Sequence, residues 1–100
     1  MRAEERLAAF LLSLSQRLAA RGYLNNEFDL RMSRNDIGSY LGIQIETVSR
    51  MLSRFAESGL IQIKQRHIKL IDMNGLYELA GIPNPERIIS ISTDSNLKKA

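Results

Sequence analysis

Between Met32 and Gly59 lie two short amphipathic stretches with a glycine-centred break between them. Ser33 offers a capping hydroxyl, and Asp36 stands three residues on, in the capping-box position usually filled by Glu or Gln. A helix is therefore expected to start here, with Ile37, Tyr40 and Leu41 as its core contacts. Gly42 should end it, because glycine turns the chain into the left-handed region without a steric penalty. From about Gln44 to Ser58 a second stripe of Ile45, Val48, Met51, Leu52 and Phe55 repeats at helical spacing, with Glu46, Thr47, Ser49, Arg50, Ser53 and Arg54 opposite. Two such helices joined by a tight turn must pack on each other, Ile37 and Leu41 meeting Val48 and Met51, with Gly38 small where they approach.

The flanks complete one domain around that pair. Leu7, Phe10, Leu11, Leu14 and Leu18 recur at three- and four-residue steps and predict a preceding helix that stops at Gly22. Leu12 lies off this stripe, either as a second, smaller contact face or, like most such residues, half-buried. Glu27–Met32 alternates polar and apolar as a short strand would, one that pairs with a sheet formed later in the chain. After Gly59, Leu60–Lys64 alternates again, Gln65-Arg66 makes a turn, and His67–Ile71 returns as its partner. Asp72 is placed to cap a final short helix over Gly75–Ala80, ended by Gly81 and the Pro83-Asn84-Pro85 breaker. The fold class is α+β: a winged helix-turn-helix with a three-helix core and a small antiparallel sheet, the wing. Residues 1–82 form this domain. Residues 83–100 are a tail in which Ile88, Ile89 and Ile91 alternate, and the sequence leaves its packing open. A chain of 100 residues that is 44% hydrophobic supports one modest core, burying roughly 60–65% of its unfolded surface.

Several function classes fall away on composition. The chain has no cysteine and one histidine, so it offers no disulfide framework, thiolate metal site or cysteine nucleophile, and it lacks a phosphate-cradling glycine loop. An enzyme is not expected. No apolar run approaches the roughly 20 residues of a membrane span, and Met1–Glu5 starts with mixed charge rather than a secretion signal. A cytoplasmic protein is expected. The net charge of +3 is too small to diagnose nucleic-acid binding. Its placement says more, because Lys64-Gln65-Arg66-His67-Ile68-Lys69 carries only positive charge.

With the apolar stripe anchored, Glu46, Ser49 and Arg50 are three and four residues apart and share the outward face. A helix of this kind fits the major groove. An arginine fork donates to guanine O6 and N7, a carboxylate accepts from cytosine N4, and a hydroxyl adapts to either. The plainer account makes Glu46 and Arg50 an i,i+4 surface pair worth about 0.2–0.5 kcal/mol. Against it stands the whole arrangement: a carboxylate facing phosphates weakens nonspecific binding and is best explained by base reading. Arg34, Thr47, Ser53 and Arg54 are candidates for phosphate contacts, as are Lys64 and Arg66 of the wing, with Arg66 at its tip. Lys69 is a weaker candidate. His67 is assigned no chemistry. The rival reading is a winged helix that binds a protein partner, against which Glu46 and Arg50 on the exposed face argue. RNA binding is disfavoured, because no sheet face carries stacking aromatics.

The segments Ala3–Leu12, Met32–Gly42 and Ile45–Arg50 closely resemble the C-terminal domain of the Crp/Fnr family of bacterial transcription regulators. The Glu-x-x-Ser-Arg motif resembles the oxygen-responsive branch in particular. The resemblance runs from about Ala3 to Gly81. It implies a dimeric regulator that binds double-stranded DNA at an inverted repeat of TTGAT-like half-sites, with Glu46, Ser49 and Arg50 reading bases. It also implies contact with RNA polymerase. In that family a sensory β-barrel and a dimerisation helix precede this region, and oxygen-responsive members hold an iron–sulfur cluster through sensory-domain cysteines. These 100 residues carry neither part, so the chain reads as a fragment without a cofactor of its own. It is expected to be a monomer or weak dimer.

Overall fold

In the computed structural model, which describes residues 2–22 and 26–84, the helix pair forms much as its sequence dictates. Helix α2 (Arg34–Leu41) opens on Ser33, whose hydroxyl accepts from the Asp36 amide at 3.1 Å while the Asp36 carboxylate accepts from the Ser33 amide at 3.3 Å. This reciprocal capping satisfies donors that the first turn leaves without partners. The helix ends at Gly42, in the left-handed conformation with φ 71°. Helix α3 (Ile45–Glu57) follows after two residues and buries Val48, Met51, Leu52 and Phe55. Burial of side chains of this size stabilises by about 1.5–3 kcal/mol each. Gly38 sets the distance between the two helices: a β-carbon there would stand 2.4 Å from the Ile43 carbonyl oxygen, the group next to the turn.

Helix α1 (Ala3–Ala20) packs chiefly on α4 (Met73–Ala80) and also meets α2. It therefore has two buried sides, which decides between the readings left open for Leu12: it belongs to a second contact face and is buried, 2% exposed. One turn beyond it, Gln16 donates to the Tyr77 hydroxyl of α4 at 3.2 Å, so the second side is the one that receives the last helix. Helix α4 starts two residues before the expected Gly75, and Asp72 caps it by accepting from the Gly75 amide at 2.9 Å.

Strands β1 (Glu27–Asp29), β2 (Ile61–Lys64) and β3 (His67–Leu70) form one antiparallel sheet in the order β1-β3-β2. Phe28 pairs with Ile68, and Ile63 with Ile68 from the other side, so the inward residues of the sheet meet over the core. Strand β1 is shorter than the predicted Glu27–Met32, because beyond Asp29 only the Leu30 amide reaches the hairpin, donating to the Arg66 carbonyl at 2.8 Å.

Two expected core residues are not core. Tyr40 is 67% exposed, its ring lying 5.7 Å from that of Phe10 at the rim of α1. Ile45 is 41% exposed because it opens the first turn of α3, ahead of the part that packs. The readings made for Ile88, Ile89 and Ile91 lie outside the described residues.

Candidate nucleic-acid interface

Helix α3 advances about 100° per residue, so the centre of its buried stripe lies opposite Glu46, Ser49 and Arg50. Glu46 and Arg50 are exposed, and Ser49 is half-buried. The trio thus shares one outward face. Ser53 falls on the same face a turn further along and is exposed, whereas Thr47 and Arg54 sit on its flank. Among the described residues, Glu46 and Arg50 enter no ion pair, with each other or with another charge. Their polar ends are therefore left to solvent or to an external partner. Arg54 is less free, lying 3.9 Å from Glu4 of α1, an exposed pair that contributes little to stability. Arg34 begins α2 and is half-buried.

The end of α2, next to the turn into α3, is held by a residue to which the sequence reading gave no role. Arg6 of α1 donates through Nη1 to the carbonyl of Leu41 at 2.7 Å, closing the end of α2 where a helix leaves acceptors without partners. Its Nε is buried with no partner among the described residues. The contact spans 35 positions, and an arginine on the polar border of an amphipathic helix gives no sign of it in sequence.

The wing carries Lys64 at the end of β2 and Arg66 in the turn, both exposed. Gln65 occupies the left-handed region at φ 58°. The hairpin's own sequence is purely basic, but the sheet places acid beside it. Glu27 pairs in register with Lys69, and Asp29 with His67. His67 Nδ1 lies 2.8 Å from Asp29 Oδ1, and its Nε2 lies 2.6 Å from Glu27 Oε1. These contacts hold the imidazole pKa above its ordinary value of 6.5, the hydrogen bond to Asp29 first and that to Glu27 second. The partners are 38 and 40 residues away, so only the register of β1 reveals them.

The described residues contain no group of His, Asp and Glu able to hold a metal. With no cysteine in the sequence, an iron–sulfur cluster finds no thiolate ligands in this chain. Among the described residues, no helix is long and apolar enough to cross a membrane.

A capped helix, a glycine turn, a second helix with a polar outward face, and a three-stranded sheet ending in a cationic hairpin together define a winged helix-turn-helix domain. Residues 5–79 match the model of the Crp-like helix-turn-helix domain, and the chain belongs to the Crp/Fnr family of transcription regulators. It is 63% identical over 81 residues to the transcriptional regulatory protein btr of Bordetella pertussis, a match covering 81% of this chain and 34% of that protein. It is 51% identical over 79 residues to the fumarate and nitrate reduction regulatory protein of Escherichia coli, covering 79% and 32%. Among solved structures, FixK2 from Bradyrhizobium japonicum superposes with a TM-score of 0.72 at 38% identity, covering 83% of this chain and 40% of that one. The chain thus spans about a third of the length of the curated relatives it matches. These relatives are regulators, not enzymes.

Proposed function

We propose that this domain reads double-stranded DNA by laying α3 in the major groove, with Glu46, Ser49 and Arg50 contacting base edges of a TTGAT-like half-site. The observation that supports this reading is the outward trio on α3: its acid and guanidinium have no ion-pair partner among the described residues, while the opposite side of the helix is fixed in the core. Arg50 supplies the bidentate fork for guanine, Glu46 an acceptor for a cytosine amine, and Ser49 an adaptable hydroxyl. Arg34, Thr47, Ser53 and Arg54 border this face, and Lys64 and Arg66 stand on the wing. In this reading they touch phosphates, which set register without carrying sequence information.

The full regulator would bring two such domains to an inverted repeat. A second linked half-site raises effective concentration, which a lone domain forgoes. This chain alone therefore binds weakly, and nanomolar, salt-insensitive binding to one half-site would contradict that. The test is fluorescence anisotropy with a TTGAT palindrome and a scrambled duplex at two salt concentrations. Charge attraction weakens both alike as salt rises, whereas base reading keeps a gap between them. Superimposable curves would reduce the domain to a generic polyanion binder and remove the assignment of the trio.

A further inference from the structure

The wing contains a three-residue arrangement that base reading does not use. His67 lies on the solvent side of β3, flanked by β1 and β2. Both of its ring nitrogens point at carboxylates, Nδ1 at Asp29 Oδ1 and Nε2 at Glu27 Oε1, at 2.8 and 2.6 Å. An ionised carboxylate only accepts hydrogen bonds, and a neutral imidazole has a single N–H. The two contacts are therefore satisfied together only by the imidazolium. After proton loss, one nitrogen would turn a lone pair toward an anion at hydrogen-bonding distance.

The surroundings make this contact matter to the wing. Lys64 faces His67 across the β2–β3 pair, Glu27 and Asp29 face it from β1, and Lys69 and Arg66 lie along its own strand and turn. The two cations proposed to meet phosphates, Lys64 and Arg66, are thus the cross-strand partner and the preceding residue of His67. The Leu30 amide also donates to the Arg66 carbonyl at 2.8 Å, so the end of β1 fixes the wing turn directly. Loss of the proton removes one positive charge from beside the two carboxylates of that strand, whose net negative charge then repels the same phosphates more strongly.

We propose that His67 is a proton-operated positioning residue: as the imidazolium it clasps Glu27 and Asp29 and sets the wing for phosphate contact, and on losing its proton it frees two carboxylates to oppose the duplex. This rests on the DNA-binding reading above. DNA then binds the protonated form better, binding takes up a proton, and affinity falls as pH rises through neutrality. The chain has one histidine and no cysteine, so apart from the α-amino group, with an ordinary pKa of about 7.7–8.0, no other side chain has an ordinary pKa in that window.

The test is anisotropy of the full chain on the palindromic and scrambled duplexes at fixed ionic strength, from pH about 6 to about 8.5. Affinity for both should fall by about threefold to tenfold, tenfold corresponding to one unit of added proton affinity in the complex. His67→Phe should flatten the profile at the weak, high-pH level. Glu27→Gln with Asp29→Asn should leave only a shallow slope, from the charge of His67 itself, and should not show that weakening, because the repelling charges are gone. A flat wild-type profile alongside a preserved preference for the palindrome would overturn the clasp and leave base reading intact. A profile unchanged in His67→Phe would overturn it as well. Should the two duplexes prove indistinguishable, base reading fails and the clasp is judged by NMR titration of the free protein. There the His67 ring should titrate above 6.5, and Glu27→Gln or Asp29→Asn should lower its midpoint. An ordinary midpoint, insensitive to both substitutions, would end the proposal.

Discussion

Helix α3 and the wing both present cations to solvent, yet they are held in place by different means. The four anchoring residues of α3 are at most 4% exposed, and its approach to α2 is set by a backbone contact at Gly38 that admits no side chain. The wing hairpin places Ile61, Ile68 and Leu70 in the core, but its outer half, beyond its ladder pairing, rests on the exposed His67 contacts and a backbone bond from Leu30 rather than on buried side chains. Packing is insensitive to salt and pH, whereas exposed charge contacts respond to both. In the proposed reading, base recognition, which needs a fixed geometry, falls to the packed element, while the wing adds the phosphate contacts of Lys64 and Arg66, which tolerate adjustment.

This contrast can be broken from the packed side first. Leu52→Ala removes an anchor that is 1% exposed and should destabilise the domain by about 2–5 kcal/mol in urea unfolding. Gly38→Ala should cost about 1–3 kcal/mol, because the new β-carbon meets backbone that must shift. Normal stability in that variant would show that the helix approach is looser than described. Arg50→Ala should leave stability within about 0.5 kcal/mol while costing about 1–3 kcal/mol in binding to the preferred duplex.

The wing side gives smaller and more conditional effects. Lys64→Ala should lower the steepness of log affinity against log salt by about 0.9, equally for every duplex, if it neutralises one phosphate. A change confined to the palindrome would instead make it a base contact. The smallest effect is on folding itself. His67 has a raised pKa in the folded state, so its contribution is fully present below pH 6.5 and is lost as pH rises through the folded value. Thermal unfolding followed across that window should show a slight fall in wild type that is absent in His67→Phe.

The helix pair was legible in the sequence because its determinants are local: the Ser33–Asp36 box, Gly38, Gly42 and the Val48–Phe55 stripe act within a few residues of one another. Tyr40 and Ile45 were misjudged because periodicity gives a face, not how far a neighbour extends over it. Spacing alone left Leu12 open because the helix packed on that side arrives some 60 residues later, as the Gln16–Tyr77 bond shows. Separations of 35 to 40 residues likewise hid the roles of Arg6 and His67, whose partners are set by tertiary register rather than by spacing.

The most direct test asks whether the outward trio reads bases one at a time. Binding of wild type and Arg50→Ala should be measured against a set of duplexes in which each base pair of the half-site is changed in turn. Wild type is predicted to discriminate at every contacted position, and the variant to lose discrimination at one position while keeping it at the rest. Uniform weakening of the variant on all duplexes would mean that Arg50 holds phosphate, and would contradict the groove-reading account.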